Sequence, residues 1–545
     1  MSHMLNRPGT QTSSDPPNRR LVIRLGLALT LAAIAVRLFF WACTGRVWED
    51  ALITLAHSEN AVRGLGLTLP QDGGKPVQGF SSPLGVLLPL AGDFLWLGSG
   101  LTVLRVASAL AGGLTILYLL RIALHPTVRL STPAAVLAMG YAAFEHHQIS
   151  WGMAGMETQL ATLALVASIY YLVNANAYAL GIALACCVLA RPEFALWAVA
   201  AGLMVLARNR RDFLVAAGAG FGLYLPWLAF SWAYYGSPIP NTILAKGIGY
   251  PLWWKDTALT FAAASNHLAA RLSCAYFPDS IFQPLGPSFA GHGTHFSRIF
   301  NDHGAVCLAM LFLVIAGCGM AIHHRRRGML PPVLFAAVFT AYLTFAVPHV
   351  FGWYAAPLSA VLVLVAAYGL DSVAGMINNP RARAALKNGL VVAYLALMAG
   401  ILPLTFNAEK RIQQDVENVV RKPACQYMAR AMKPRQTIGC ESLGHTAYYV
   451  VRHQILDWPG LASRRVVQYS RCNPGGRSLE SMLETLRPDW LLLRPFEYER
   501  ANKNGNWIDQ DYEMVRQFKA LDCANDIPLA SRNIDFEFWV FRRKS

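Results

Sequence analysis

The sequence predicts an α-helical polytopic membrane protein with about 11 transmembrane helices and a C-terminal extracytoplasmic α/β domain. Of the 545 residues, 54% are apolar and only 14% are charged, a balance that excludes an ordinary soluble enzyme. After residue 407 the chain becomes polar, with short strand-like runs between helical stretches. The apolar residues before that point gather into spans of usable length near 21–43, 101–120, 132–145, 157–174, 178–190, 194–207, 212–235, 304–322, 330–348, 353–375 and 388–406.

The N-terminal segment is predicted to be a tail followed by a membrane anchor. Residues 1–20 are polar and rich in Pro and Ser, so we expect a disordered tail, of which residues 1–3 resemble a cloning scar. The segment Leu21–Cys43 is too long for the apolar part of a signal peptide and has no small-residue cleavage site. We therefore expect a transmembrane helix that is retained.

The basic residues set the expected topology of a membrane domain over residues 21–406. If Pro83–Gly98 lies along the membrane surface, the basic clusters all fall on one side, which the positive-inside rule assigns to the cytoplasm. The clusters are Arg19/Arg20, Arg121/Arg129, Arg208/Arg210/Arg211, Arg325/Arg326/Arg327 and Arg381/Arg383/Lys387. The N-terminus is then cytoplasmic. Loops 44–100 (juxtamembrane helices) and 236–302 lie outside, as does a periplasmic soluble domain, 407–545. The net charge of +16 follows from this topology, so no nucleic-acid partner is expected.

The segment 407–545 carries the pattern of a small α/β domain. Trp490–Leu493 and Phe536–Phe541 are strand-like, and Ser478–Leu486 is helical in pattern. The segment holds four cysteines, which outside the cytoplasm permit two disulfides in three connectivities, or free buried thiols. These cysteines are Cys425, Cys440, Cys472 and Cys523.

This topology places unusual polar residues from separate parts of the chain on the outer face. Charged groups close to a bilayer are costly and indicate function. Glu49 and Asp50 follow the first span, and Arg105, one turn into the second, is expensive if unpaired. The others are Glu145, His146, His147, Glu157, Arg191, Glu193, Asn241, Lys246, His349, Trp353 and Tyr354.

Carboxylates and cations together at a membrane surface suit transfer of a group from a lipid phosphate. Arg and Lys can hold the anionic leaving group, and a carboxylate can take the proton of the attacking hydroxyl. For sugar transfer, a carboxylate also favours an oxocarbenium-like centre.

Structural alternatives stand beside these roles. His146 and His147 fit a polar helix end better than a metal pair, since neighbouring residues do not share a helix face. Arg191 and Glu193 could satisfy each other in a turn, and Lys246 could extend to the lipid headgroups. Trp353 and Tyr354 fit an interfacial aromatic belt.

Several motifs, in order, resemble GT-C glycosyltransferases, and most closely the bacterial arabinofuranosyltransferases with polyprenyl-phosphate donors. They are Trp48-Glu49-Asp50-Ala51-Leu52-Ile53, Gly64-Leu65-Gly66, Phe80-Ser81-Ser82-Pro83-Leu84, Gly155-Met156-Glu157-Thr158, Ala190-Arg191-Pro192-Glu193, Tyr235–Thr242 with Lys246, and Leu456–Leu461. The resemblance covers residues 45–500. It implies the GT-C fold, a polyprenyl-phosphate sugar donor and inversion at the anomeric carbon.

The resemblance also implies roles for individual residues. Asp50 matches the catalytic base, and Glu49, where Asp is common, is expected to assist it. The expected donor- and phosphate-binding residues are Arg191, Lys246, Glu157, Glu193 and, from its own position, Arg105. The expected cavity-lining residues are His146, His349, Tyr354, Ser81, Ser82 and Asn241. Some members use a divalent cation and others do not, so the metal is unknown and no cofactor is required.

The sequence therefore predicts an inverting glycosyltransferase of a bacterial inner membrane. It would move a sugar, with arabinofuranose the first choice, to a hydroxyl of an envelope glycan, lipid or protein acceptor. The alternatives are a lipid-linked sugar transporter or flippase, a scaffold or envelope receptor, and the same fold transferring mannose or an aminosugar. A transporter would favour ionisable groups at the midplane and two matching halves, and no such repeat is visible.

Overall fold

The computed structural model describes residues 18–544 except 71–74, 251, 253–260, 275–279, 287–303, 504, 521–526 and 528–534. Up to Arg411 the described chain is built from helices, with short 3-10 turns at Pro192–Phe194 and Gln283–Leu285. The helices are α1 Arg19–Thr44, α2 Glu49–Val62, α3 Pro83–Leu95, α4 Gly100–Leu124, α5 Thr132–Phe144, α6 His146–Met153, α7 Thr158–Val173, α8 Ala177–Ala190, α9 Ala195–Arg208, α10 Arg210–Tyr235, α11 Asn241–Gly249, α12 Phe261–Leu272, α13 Ala305–His323, α14 Leu330–Phe345, α15 Gly352–Ala374 and α16 Pro380–Arg411.

Each of the predicted apolar segments coincides with one of these helices. Among the described residues, six helices are long and apolar enough to cross a membrane: α1, α4, α10, α13, α15 and the one beginning at Pro380. Large apolar side chains are exposed on the outer helices, for example Leu31 (71%), Phe221 (59%) and Ile315 (63%). Long helices with such apolar outer surfaces are typical of contact with lipid, so the chain is a multi-pass membrane protein. The expected count of 11 crossings stays a prediction.

Helix α15 forms the centre of the bundle, with α5, α7, α13 and α14 packed around it. Small residues allow the closest of these approaches. A Cβ at Gly317 of α13 would lie 2.3 Å from the carbonyl oxygen of Val365 in α15, and one at Gly369 would lie 2.0 Å from that of Leu313. The two helix backbones therefore touch, as is common where helices pack without a hydrophobic driving force.

The described part of the segment between α1 and α4 contains the two helices α2 and α3. The 13 residues of α3 cover about 20 Å at 1.5 Å per residue, which is less than a bilayer core. The carboxylate of Asp93 accepts hydrogen bonds from the Ser58 hydroxyl and from the Gly98 and Gly100 N–H groups (3.0 and 2.8 Å). One buried acid thus ties α3 to α2 and to the start of α4.

A mixed five-stranded sheet forms the core of the C-terminal part, in the strand order β2-β1-β3-β5-β4. Strand β1 is parallel to β2 and β3, whereas β5 is antiparallel to β3 and β4. The predicted α/β character is confirmed. The elements are α17 Arg421–Ala431, β1 Thr437–Cys440, α18 Leu443–Tyr449, β2 Gln454–Asp457, α19 Arg464–Cys472, α20 Leu479–Leu486, β3 Trp490–Leu493, α21 Pro495–Asn502, α22 Trp507–Asp511, β4 Tyr512–Lys519 and β5 Glu537–Arg543.

Two sequence expectations change in detail, the domain boundary and the extent of the N-terminal tail, and the state of three cysteines is defined. The boundary expected at residue 407 falls inside a continuous helix, since α16 extends to Arg411 and continues as a π-helical turn, Ile412–Glu417. The cysteines Cys425, Cys440 and Cys472 have free thiols, and the first two are buried. Cys523 lies outside the described residues. At the other end of the chain, α1 begins at Arg19, capped by the Asn18 side chain, so the helix takes up the last residues of the expected tail.

Candidate active site

One cavity collects predicted site residues from six segments of the chain. Eight of them line it: Asp50, Ser81, Ser82, Glu157, Arg191, Glu193, Lys246 and Tyr354. Gly79, Met156, Thr242, Trp353 and Leu461 also contribute to its walls. The expectation that these polar groups converge thus agrees with the geometry, whereas their individual roles stay predictions.

Aromatic and backbone contacts hold the first turn of α2 in place. The Trp48 N–H donates to the carbonyl of Ala154 at 2.8 Å, and the Trp48 ring packs edge-on against Trp151 with centroids 4.6 Å apart. Gly155 has a φ of +92°, and a Cβ there would lie 3.0 Å from the Cβ of Ala51. This glycine therefore provides both the turn and the close approach that bring Asp50 to the cavity.

Asp50 has a strongly shifted acidity. Burial raises its pKa to about 6, the Lys246 ammonium opposes that rise, and the negative charges of Glu49 and Glu157 add to it. The carboxylate is ionised at neutral pH, yet it binds a proton more readily than an ordinary aspartate does. Such a group is suited to take a proton from a hydroxyl.

Arg191 is already neutralised by acids in the cavity wall. Its Nη2 lies 3.1 Å from Glu157 Oε1, and its Nη1 lies 3.4 Å from Glu193 Oε1. Nη2 also donates to the Thr158 hydroxyl at 3.1 Å, and the guanidinium lies over the Tyr354 ring at 5.3 Å. The pairing of Arg191 with Glu193 that the sequence left open is present, and it forms part of the cavity lining.

Lys246 is the cavity cation that has no ion-pair partner among the described residues. The negative charges of Asp50 and Glu193 act on its ammonium, but no carboxylate of the described residues lies within ion-pair distance of it. Lys246 lines the cavity, and so do Trp353 and Tyr354. Because Lys246 is the cation left unpaired, it is the first candidate to meet an anionic ligand.

Glu49 points away from the cavity, so its expected assistance to Asp50 needs correction. Its Oε2 lies 2.6 Å from Arg421 Nη1, and its Oε1 accepts bonds from the Ser442 hydroxyl (2.5 Å) and the Gly444 N–H (3.3 Å). Arg421 also pairs with Glu417 at 3.5 Å and with Asp535. We call Glu49, Arg421, Ser442, Glu417 and Asp535 the clasp, since they join α2 to the C-terminal domain.

Arg105 also has a different place from the one expected. Its guanidinium donates to the carbonyl oxygens of Met153 (3.1 Å), Gly45 (3.4 Å) and Arg46. It does not line the cavity. These carbonyls satisfy a cation that would be costly without partners, so Arg105 braces the ends of α1 and α6 and needs no phosphate to neutralise the cost of its burial.

The histidines and Asn241 lie outside the cavity wall. Glu145 caps α6 by accepting the N–H groups of His147 (2.9 Å) and Gln148 (2.7 Å). The ligating atoms of Glu145, His146 and His147 lie within 4.8 Å of one another, the one such group among the described residues. Glu145 Oε1 also lies 2.6 Å from His147 Nδ1, so the cap and this ring contact account for the cluster, and no catalytic step is assigned to it.

His349 and Asn241 lie at the edges of the site. The His349 ring packs edge-on against Tyr250 at 5.7 Å. The Asn241 amide donates to the carbonyls of Gly460 (2.7 Å) and Leu461 (3.0 Å). Asn241 thus supports the wall from behind, because Leu461 lines the cavity.

Sequence reasoning gave no role to the loop after β2, which closes this wall. The Asp457 carboxylate accepts a hydrogen bond from the Ala462 N–H at 3.1 Å. Burial raises the pKa of Asp457 to about 7, although the backbone N–H groups that it binds act to lower it. The run Leu456–Leu461 was visible as a motif, but nothing in it indicated that it reaches the cavity. Arg421 carried no signal at all.

The chain resembles known proteins in both sequence and structure. A family model described as a domain of unknown function (DUF8728) matches residues 408–540. The chain is 30% identical over 345 residues to the Terminal beta-(1->2)-arabinofuranosyltransferase of Mycobacterium tuberculosis, covering 56% of this chain and 53% of that protein. It thus spans about half the length of the curated relative that it matches.

Solved structures match nearly the whole chain. ArnT from Cupriavidus metallidurans bound to undecaprenyl phosphate aligns over 94% of this chain and 97% of its own, with a TM-score of 0.51 and 14% identity. AglB, the oligosaccharyltransferase of Archaeoglobus fulgidus in complex with an inhibitory peptide and a dolichol-phosphate, aligns over 93% and 75%, with a TM-score of 0.54 and 14% identity. The chain has the GT-C fold. The predicted fold class is therefore confirmed.

Proposed function

We propose that the protein is an inverting glycosyltransferase that moves a sugar, arabinofuranose first, from a polyprenyl-phosphate donor to a hydroxyl of an envelope glycan, lipid or protein. The reaction takes place on the periplasmic side of a bacterial inner membrane. The observation that carries the proposal is the single cavity in which Asp50 lies with Lys246 and the Arg191 cluster. The arabinofuranosyltransferase relative and the polyprenyl phosphates in the ArnT and AglB structures support it.

In the proposed reaction, Asp50 is the general base. It accepts the proton of the acceptor hydroxyl while that oxygen bonds to the anomeric carbon. The bond from the anomeric carbon to the phosphate oxygen breaks, and its electron pair leaves with the polyprenyl phosphate. Attack from the face opposite the phosphate inverts the anomeric carbon.

The charges of the cavity divide the remaining work. Arg191 is matched by Glu157 and Glu193, whereas Lys246 has no carboxylate partner among the described residues. Lys246 therefore neutralises the departing phosphate, and Arg191 keeps its two acids in the wall. Those acids and Asp50 favour the positive charge that develops on the sugar.

The polyprenyl chain can reach the cavity through an opening that has an apolar side. A second opening shares Ser81, Glu193, Thr242, Lys246 and Tyr354 with the cavity. Its far side is formed by Ala346, Val347 and Pro348, directly after α14. A phosphate at Lys246 would thus have its lipid chain directed toward the helices that face the bilayer.

The test is transfer by the purified full chain in phosphatidylcholine nanodiscs. The donors are synthetic polyprenyl phosphates that carry radiolabelled arabinofuranose, mannose or an aminosugar. The acceptor is an arabinan fragment. We expect covalent product from the arabinofuranose donor. Asp50→Asn should lower kcat by roughly 10²–10⁴-fold, the usual contribution of a general base. Asp212→Asn, in the first turn of α10 and far from the cavity, is the matched control.

The outcomes separate the hypotheses. Product with near-normal turnover in Asp50→Asn would show that another group is the base. Product from the mannose or aminosugar donor alone would keep the reaction and change the sugar. Movement of the donor across a liposome bilayer without covalent product would establish the transporter alternative.

A further inference from the structure

A second depression, here called the basic groove, lies behind one wall of the cavity. It has a volume of about 830 Å³ and lies between the end of α10, residues 75–78 and helix α19. The polar and aromatic residues that line it include Lys75, Gln78, Tyr234, Arg464, Gln468 and Arg471. None of the described residues that line it is acidic. The groove therefore favours an anionic ligand.

The groove and the cavity share a wall about one residue thick. Gln78 and Asn241 line the groove, and the residues that directly follow them, Gly79 and Thr242, line the cavity. The two segments are joined where the Asn241 N–H donates to the Gln78 carbonyl at 3.1 Å. A molecule seated in the groove thus lies next to the chamber that holds Asp50.

A buried donor in the groove lacks a partner. Gln78 is 2% exposed, and its Oε1 accepts a hydrogen bond from the Ser231 hydroxyl at 2.8 Å. Its Nε2 has no acceptor among the described residues. Because this nitrogen is buried, Gln78 forms part of the groove wall and does not reach a molecule in the groove.

The cations of the groove are of two kinds. Arg464 donates to the carbonyls of Pro76 (3.0 Å) and Tyr235 (2.6 Å), which fixes α19 against the end of α10. Lys75 and Arg471 are exposed, and no carboxylate of the described residues pairs with either. These two side chains are free to meet an anion, and Arg464 holds the groove in shape.

We propose that the basic groove binds the acceptor, and that this acceptor is a glycan bearing a phosphate group. The term acceptor rests on the proposed transferase function. The amide of Gln468 binds sugar hydroxyls, the Tyr234 ring gives a flat apolar surface for a sugar ring, and Lys75 and Arg471 bind the phosphate. The phosphate is either a substituent of the glycan or the headgroup of a lipid that carries it, since α10 ends beside the groove.

The binding experiment uses the full-length Asp50→Asn protein, so that turnover is strongly slowed. The probes are an arabinofuranose disaccharide, the same disaccharide with a terminal phosphate, and a diacylglycerol phosphodiester of it in phosphatidylcholine nanodiscs. The groove variant is Lys75→Gln/Arg471→Gln. The matched control is Lys433→Gln/Arg452→Gln, since both residues are exposed cations outside the groove.

We expect the groove variant to raise the Kd of the phosphorylated probes about tenfold and to leave that of the neutral disaccharide and the control unchanged. The tighter of the two phosphorylated probes identifies the source of the phosphate. Equal binding of all probes by the unmutated groove, or an unchanged Kd in the groove variant, would overturn the proposal.

Transfer by the chain with Asp50 intact separates this proposal from the proposed function. A rise in the acceptor KM without a rise in the donor KM is expected for the groove variant. If product forms and the acceptor KM stays unchanged, the groove proposal fails and the transferase function stands. If no donor gives product while the binding difference persists, the function fails and the phosphoglycan site stands.

Discussion

Glu49→Gln tests whether the acid beside Asp50 has a chemical or a positioning role. The substitution keeps the shape of the side chain and removes its charge. It weakens the 2.6 Å ion pair with Arg421, whereas the bonds from Ser442 and Gly444 to the other oxygen can persist. A hydrogen bond to a charged group contributes ~1.5–3 kcal/mol, so Glu49→Gln should lower stability by about that amount.

Arg421→Gln gives the larger effect from the other side of the clasp. Arg421 faces Glu49, Glu417 and Asp535, and its removal leaves three acids close together without this cation. Removing one partner of a buried pair costs ~3–5 kcal/mol. Arg421→Gln should therefore unfold several degrees below Glu49→Gln. The matched control is Glu513→Gln, which breaks the exposed pair with Arg542 and should cost ~1 kcal/mol or less.

The assay joins thermal unfolding in detergent to transfer at saturating donor. We expect Glu49→Gln to keep kcat within about tenfold of the unmutated chain, because no bond from Glu49 enters the cavity. A double-mutant cycle between Glu49 and Arg421 should show a coupling of ~1 kcal/mol or more. A hundredfold loss of kcat with an unchanged melting temperature would refute the positioning role.

Three further predictions concern the cavity and its support. Below pH 6, kcat/KM should fall tenfold per pH unit, because the raised pKa of Asp50 leaves the base protonated there; a flat profile from pH 5 to 8 would contradict it. Lys246→Gln should raise the donor KM about tenfold or more and Lys246→Arg much less, measured as initial rates against donor concentration; equal values would remove Lys246 from phosphate binding. Arg105→Met should lower the melting temperature, since it strips three carbonyls of their donor, and leave the donor KM unchanged; a raised KM would restore the phosphate role.

The fold was largely predictable because long apolar segments with few charged residues are a strong indication of membrane helices. All the predicted spans lie on helices, and the strands at Trp490–Leu493 and Glu537–Arg543 were visible as short apolar runs. The end of α16 was not predictable. Four of the residues 407–411 are polar, and only the structure shows that the helix continues through them to carry the C-terminal domain.

The site was predictable where a residue's position alone carried information. Asp50, Arg191 and Lys246 are charged residues close to apolar spans, and they share one cavity. Glu49 and Arg105 met the same criterion, but their roles depend on partners that no local pattern shows. Glu49 binds Arg421, which is 372 residues away in the chain.

The two adjacent acids diverge because of helix geometry. At 3.6 residues per turn, neighbouring side chains of α2 project about 100° apart. Asp50 therefore faces the cavity while Glu49 faces the C-terminal domain, where Arg421 and Ser442 hold it. The same first turn thus carries the proposed base and the contact that anchors it. The C-terminal domain binds Glu49 outside the cavity and in this way fixes the position of Asp50. A paired-acid motif in this fold need not be a catalytic pair, since one carboxylate can serve chemistry and the other assembly.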